Sequence, residues 1–148
     1  MKTLLIYATN TGSTLEVSNY ISNEFTQKGL EIVVKDVREV EPDEFNNFDL
    51  IIMGSPTWGE GMAHDLFIRL VEKSEGKSFP DKKFAVFGLG DTNYRHFCAA
   101  AEYLQEYVKN INGKLILDPL KINNFYFNQQ DELPKIIEWS QKIISSIS

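Results

Sequence analysis

The sequence predicts an α/β fold, a doubly wound, five-stranded parallel sheet with helices on both faces. Three features predict it: five short apolar, β-rich runs recur along the chain, stretches with helical spacing separate them, and unusual residues gather just after runs one, three and four. Strands that alternate with amphipathic helices build parallel sheets, because right-handed crossovers lay the helices on the two faces. The runs are residues 4–8, 32–34, 50–53, 84–87 and 115–117, most of them apolar enough to be buried on both faces. Val17, Ile21 and Phe25 give the first helix its stripe. Phe97, Ala100, Ala101, Leu104, Val108 and Ile111 do the same for a later helix, and Leu133, Ile136, Ile137, Ile143, Ile144 and Ile147 for the last,. Gly29 and Gly113 fall just past two of these helices, where a left-handed cap residue is expected. The alternation βαβαβαβαβα has no linker, repeat or low-complexity segment, so residues 1–148 are expected to form one domain.

Composition narrows the chemistry. The chain has 148 residues, 43% hydrophobic and 24% charged, an ordinary globular balance, and apolar runs of about five residues are too short to span a bilayer. The run that opens at Leu4 is too short for a signal peptide and lacks a small-residue cleavage site, which predicts a cytoplasmic protein. Cys98 is the only cysteine, which excludes an internal disulfide, a dithiol pair and a cysteine-built metal cluster. Redox chemistry would therefore need a bound cofactor. A net charge of -6 argues against nucleic-acid binding and suits a protein that meets basic surfaces.

Three loops carry the chemistry. Thr9-Asn10-Thr11-Gly12-Ser13-Thr14 joins strand one to the first helix. A helix N-terminus offers unpaired N–H groups and a positive dipole end, so a phosphate fits there. The Lys of the nucleoside-triphosphate loop G-x-x-x-x-G-K-[ST] is missing, and neutral donors suit a terminal phosphate monoester. Good helix capping by the same hydroxyls is the plainer explanation. Ser55-Pro56-Thr57-Trp58-Gly59-Glu60-Gly61 follows strand three and sets an indole among small residues, either against a flat ligand or over the sheet end,. Gly88-Leu89-Gly90-Asp91-Thr92-Asn93-Tyr94 follows strand four, with Asn93 where the dinucleotide fingerprint needs its third glycine,. Its backbone amides can face a ligand edge and Tyr94 can stack on it, while Cys98 reads as a small core residue. All three loops rise from carboxyl ends of strands. A planar heterocycle bearing one phosphate satisfies them together.

These residues resemble the flavodoxin family. Thr9 through Thr14 looks like its phosphate loop for flavin mononucleotide (FMN), Thr57-Trp58-Gly59 its first ring loop, and Gly88 through Tyr94 with Phe97-Cys98 its second. The family's strand order is 2-1-3-4-5, and flavodoxin is itself the standard example of FMN bound where that order reverses, beside strands one and three. Residues 114–126 leave no room for the insertion that long-chain members carry in strand five, so the short-chain type is implied. The resemblance implies that Trp58 and Tyr94 sandwich the ring. Amides around Gly90, Asp91 and Cys98 would hold its polar edge, with Glu60 a neighbour. It further implies a monomeric low-potential one-electron carrier, not an enzyme, taking electrons from a flavoprotein reductase and passing them to a metalloenzyme or other redox enzyme. No membrane or nucleic-acid partner is implied.

His64, Arg95 and His96 depart from a typically more acidic pattern around the ring loops. FMN-dependent quinone reductases and the flavodoxin-like activator of manganese ribonucleotide reductase share the cradle and are the alternatives. No segment remains to build a separate quinone pocket. A phospho-receiver domain has the same strand order but needs acidic residues after strand one and an Asp after strand three, where Thr9, Asn10 and Ser55 stand.

Overall fold

The computed structural model describes residues 1–9, 12–58, 62–63, 65–91 and 98–147, with residues 58, 62, 63, 65 and 66 described as backbone. In chain order these form β1 (Lys2–Tyr7), α1 (Ser13–Gln27), β2 (Glu31–Asp36), β3 (Leu50–Trp58), β4 (Met62–Ala63) and α2 (Asp65–Lys73). There follow β5 (Lys83–Gly90), α3 (Ala99–Asn110), β6 (Lys114–Leu115), β7 (Leu120–Asn123) and α4 (Gln129–Ile147). The sheet runs β2-β1-β3-β5-β6 with every neighbour parallel; β7 also pairs with β5 in parallel, and β4 adds a short antiparallel ladder to the end of β3. Because β6 and β7 are successive pieces of one fifth strand along β5, this is the expected order 2-1-3-4-5, with helices on both faces.

Local chemistry explains where the elements differ from expectation. The fifth strand, expected at residues 115–117, is split around residues 116–119, and Pro119 has no N–H to give a ladder,. The second crossover holds two 3-10 turns, Val37–Glu39 and Pro42–Asn47, where the alternation predicts an α-helix. Pro42 keeps Glu41 extended at φ -107, ψ 147,, and the Asp36 carboxylate takes the Arg38 N–H. Gly29 caps α1 in the left-handed region as expected, at φ 74. After α3 that role falls to Asn112, at φ 60. Gly113 is there for space: a Cβ on it would lie 2.5 Å from the Phe84 ring.

Both faces of the sheet are covered. Leu5, Ile52, Ala85 and Phe87 pack under α1 and α4 with Val17, Ile21, Phe25, Ile136, Trp139 and Ile143. Leu4, Ile6, Ile51, Met53, Phe84 and Val86 face α2, α3 and the 3-10 turns, meeting Phe45, Phe67, Leu104 and Val108. β1, β3 and β5 are therefore buried on both sides, whereas the edge strand β2 is only half-buried along most of its length. No described helix is long and apolar enough to cross a membrane.

Candidate functional site

The β1–β3 ladder stops at Tyr7 opposite Gly54, while the β3–β5 ladder continues through Ser55 opposite Gly88 to Pro56 opposite Leu89. β1 thus leaves the sheet early and uncovers one edge of β3. Ser55, Pro56 and Thr57, expected in a loop, are strand residues as far as Trp58. Proline is tolerated at Pro56 because no neighbouring strand asks for an N–H on the uncovered edge. A cleft of about 230 Å³ opens there, lined by Ser13 and Thr14 of α1, Pro56 and Thr57 of β3, Leu89 and Gly90 of β5, and Asn124, Phe125 and Tyr126 after β7. None of these side chains is charged.

The α1 end of the cleft is lined by neutral backbone and hydroxyl groups of Ser13 and Thr14. Gly12 caps the helix at φ 93, a left-handed angle that favours glycine, and no side-chain bond caps it,. A Cβ on Gly12 would meet nothing within 4 Å, so its requirement lies in the backbone angle and not in close approach. The Thr9 hydroxyl accepts the Gly12 N–H at 2.8 Å and closes the loop, and the Gly12 carbonyl accepts Glu16 N–H at 3.0 Å. Helix geometry leaves the N–H groups of Ser13, Thr14 and Leu15 without an intrahelical partner,. The Thr14 side chain is 1% exposed, and its hydroxyl has no hydrogen-bond partner among the described residues. Buried polar groups ordinarily have partners. This donor set, backed by the positive end of a helix and with no carboxylate among the described residues that line the cleft, fits a phosphate monoester,.

The opposite wall is built by close packing of α3 on β5. A Cβ on Gly88 would lie 2.8 Å from the Ala101 nitrogen, and one on Gly90 2.8 Å from the Cys98 nitrogen. These glycines let the start of α3 sit on the strand. Thr57 Oγ1 accepts the Ala100 N–H at 3.2 Å, tying the first turn of α3 to β3. Ser55 is fully buried, its hydroxyl donating to the Pro56 carbonyl at 2.9 Å. Cys98 stands at φ 52 with its thiol donating to the Ile122 carbonyl at 3.3 Å. Burial pushes that thiol up to about 12, so no thiolate is present near neutral pH and Cys98 serves packing, as its sequence context predicts.

Of the residues expected at the site, Thr9, Gly12, Ser13, Thr14, Ser55, Pro56, Thr57, Gly88, Leu89, Gly90, Asp91 and Cys98 gather at this end of the sheet. Asn10, Thr11, Gly59, Glu60, Tyr94 and Phe97 lie outside the described residues, as do Gly61, His64, Arg95 and His96, and Trp58 is described as backbone. The sequence reading missed Asn124, Phe125 and Tyr126. Phe125 is buried and meets Tyr20 of α1 edge-on at 6.2 Å, which fixes this segment against the side of α1. The aromatic run Phe125-Tyr126-Phe127 just past a strand was the available signal.

Comparison with known proteins agrees. The family model for flavodoxin matches residues 5–139. A flavodoxin of Maridesulfovibrio salexigens is 32% identical over 149 aligned residues that cover 99% of this chain and 99% of its own. The crystal structure of oxidised flavodoxin 2 from Bacillus cereus superposes with a TM-score of 0.92 at 27% identity over 99% of each chain. A Fusobacterium nucleatum flavodoxin crystallised with bound flavin mononucleotide superposes with a TM-score of 0.84 at 23% identity over 98% of each chain.

Proposed function

Because the chain belongs to the flavodoxin family, we propose that it works as a single domain that holds one FMN non-covalently and carries electrons one at a time between protein partners. The observation that carries this reading is the α1 end of the cleft, where the first helical turn opens and the buried Thr14 hydroxyl has no acceptor among the described residues. FMN supplies reversible one-electron chemistry; the chain binds it, orients it and sets its surroundings.

Thr9, Asn10, Thr11, Gly12, Ser13 and Thr14 hold the phosphate in this account. Ser55, Pro56, Thr57, Trp58, Gly59 and Glu60 form one ring loop, and Gly88, Leu89, Gly90, Asp91, Tyr94, Phe97 and Cys98 the other, with Trp58 and Tyr94 on the ring faces. The net charge of -6 favours encounter with basic partner surfaces, a flavoprotein reductase as donor and a metalloenzyme or other redox enzyme as acceptor. The protein acts as a cytoplasmic monomer. Aromatic pairing adds about 0.5–1.5 kcal/mol per contact beyond burial, so Trp58→Ala and Tyr94→Ala should each weaken FMN binding by at least about twofold to tenfold and brighten the fluorescence of bound flavin. Unchanged affinity and fluorescence in both variants would remove the two aromatics from the site.

A further inference from the structure

We propose that Asn124 is a positioning residue for the Gly90–Asp91 wall of the FMN cleft, an assignment that rests on the FMN reading above. Its backbone is left-handed at φ 42, a region where Asn is among the few tolerated non-glycine residues. In that conformation it binds the end of β5 twice. Its N–H donates to the Gly90 carbonyl at 2.6 Å, and its side-chain Nδ2 donates to Asp91 Oδ2 at 3.1 Å. Its own carbonyl accepts the N–H groups of Phe127 at 3.1 Å and Asn128 at 3.0 Å, which turns the chain into α4. Asn123 beside it donates its N–H to the Glu132 carboxylate on α4. The residue that lines the cleft is thus anchored by a strand on one side and by the start of a helix on the other.

Two consequences follow from this geometry. The neutral amide of Asn124 holds Asp91 Oδ2 at the cleft rim without cancelling its charge. A negative charge kept close to the flavin opposes addition of the second electron, an effect that weakens with distance and solvent exposure. Asn124 therefore acts through Asp91, on the second reduction potential and on the affinity of the ring end. The phosphate end lies across the cleft and is not its target, so FMN and riboflavin should lose affinity by the same factor when Asn124 is changed.

The test is a double-mutant cycle with Asn124→Gly, Asp91→Asn and both together. Glycine keeps the left-handed backbone and its three main-chain hydrogen bonds and removes only the amide,. Without the amide the Asp91 side chain must be ordered when flavin binds, at about 0.5–1.5 kcal/mol, an expected loss of FMN affinity of about twofold to tenfold. Riboflavin should lose the same factor. The second one-electron potential should rise in Asn124→Gly, and that rise should disappear once Asp91 is Asn, whose neutral Oδ1 still accepts the amide but carries no charge. Thermal melting of the apoproteins checks folding; if Asn124→Gly does not fold, Asn124→Asp keeps the backbone angle and sets a second carboxylate against Asp91, and its loss of affinity should vanish in the Asp91→Asn background. Strictly additive shifts of the second potential, or a second potential unmoved by Asn124→Gly, overturn the proposal. Wild-type protein that fails to bind FMN would overturn the functional reading instead.

Discussion

Apoprotein titrated with riboflavin should bind it about a hundred- to ten-thousand-fold more weakly than it binds FMN. The two ligands differ only in the phosphate. Hydrogen bonds to a charged group contribute about 1.5–3 kcal/mol each, and the N-terminus of α1 presents Ser13, Thr14 and Leu15 N–H groups beside the Thr14 hydroxyl. Two such bonds made by the dianion amount to about 3–6 kcal/mol, or two to four decades in affinity. Calorimetry on both ligands at one ionic strength measures the difference. Thr14→Val, which keeps the shape and removes the buried hydroxyl, should narrow the gap. Equal affinity for the two ligands would show that the α1 end does not receive a phosphate.

Gly54→Ala should lower the melting temperature of the apoprotein by about 6–12 °C. Gly54 lies in the middle of β3, paired with Tyr7 on one side and Phe87 on the other. A Cβ there would fall 2.0 Å from the Phe87 ring. That ring is fully buried and meets Trp139 edge-on at 6.1 Å, so it has no free direction in which to retreat. Overpacking typically costs about 1–3 kcal/mol, and a contact this short places the cost at about 3. Each kcal/mol moves the melting point by about 2–4 °C at this chain length. Phe87→Leu, costly alone, should partly rescue Gly54→Ala because it empties the same volume. A melting point within about 2 °C of wild type would contradict the packing described for the sheet centre.

How much of the fold can be read from the sequence depends on whether the deciding force is local. The apolar runs at Leu4, Leu50 and Phe84 are buried on both faces and are recognisable as strands without any partner. Gly29 after α1 is likewise a local signal. The end of β3 is not: residues as far as Trp58 remain extended because β5 runs alongside through Leu89, and a strand containing Pro56 is acceptable only because β1 has already departed. The same holds for Gly113, whose glycine answers to the distant Phe84 ring and not to the helix before it. Val37 through Asn47 alternates in the right place for a helix, yet Pro42 and the Asp36 cap convert it to 3-10 turns.

The site divides along the same line. Thr9 through Thr14 and the glycines of β5 announce themselves by residue type. The reason for Gly88 and Gly90 turns out to be the approach of Ala101 and Cys98, which no local pattern encodes. Asn124, Phe125 and Tyr126 reach the cleft only through the pairing of β7 with β5 and the contact of Phe125 with Tyr20. Their polar and aromatic side chains match no phosphate or ring motif, so their place is visible only once the sheet is assembled.

The central claim, an FMN-based one-electron carrier, is tested most directly by a spectroelectrochemical titration of the protein reconstituted with FMN. The account predicts that the yellow protein retains its flavin through desalting and is reduced in two separate one-electron steps, the second at a lower potential than for free FMN. A protein that releases the flavin on desalting, or that takes up two electrons in a single step at the potential of free FMN, would contradict it.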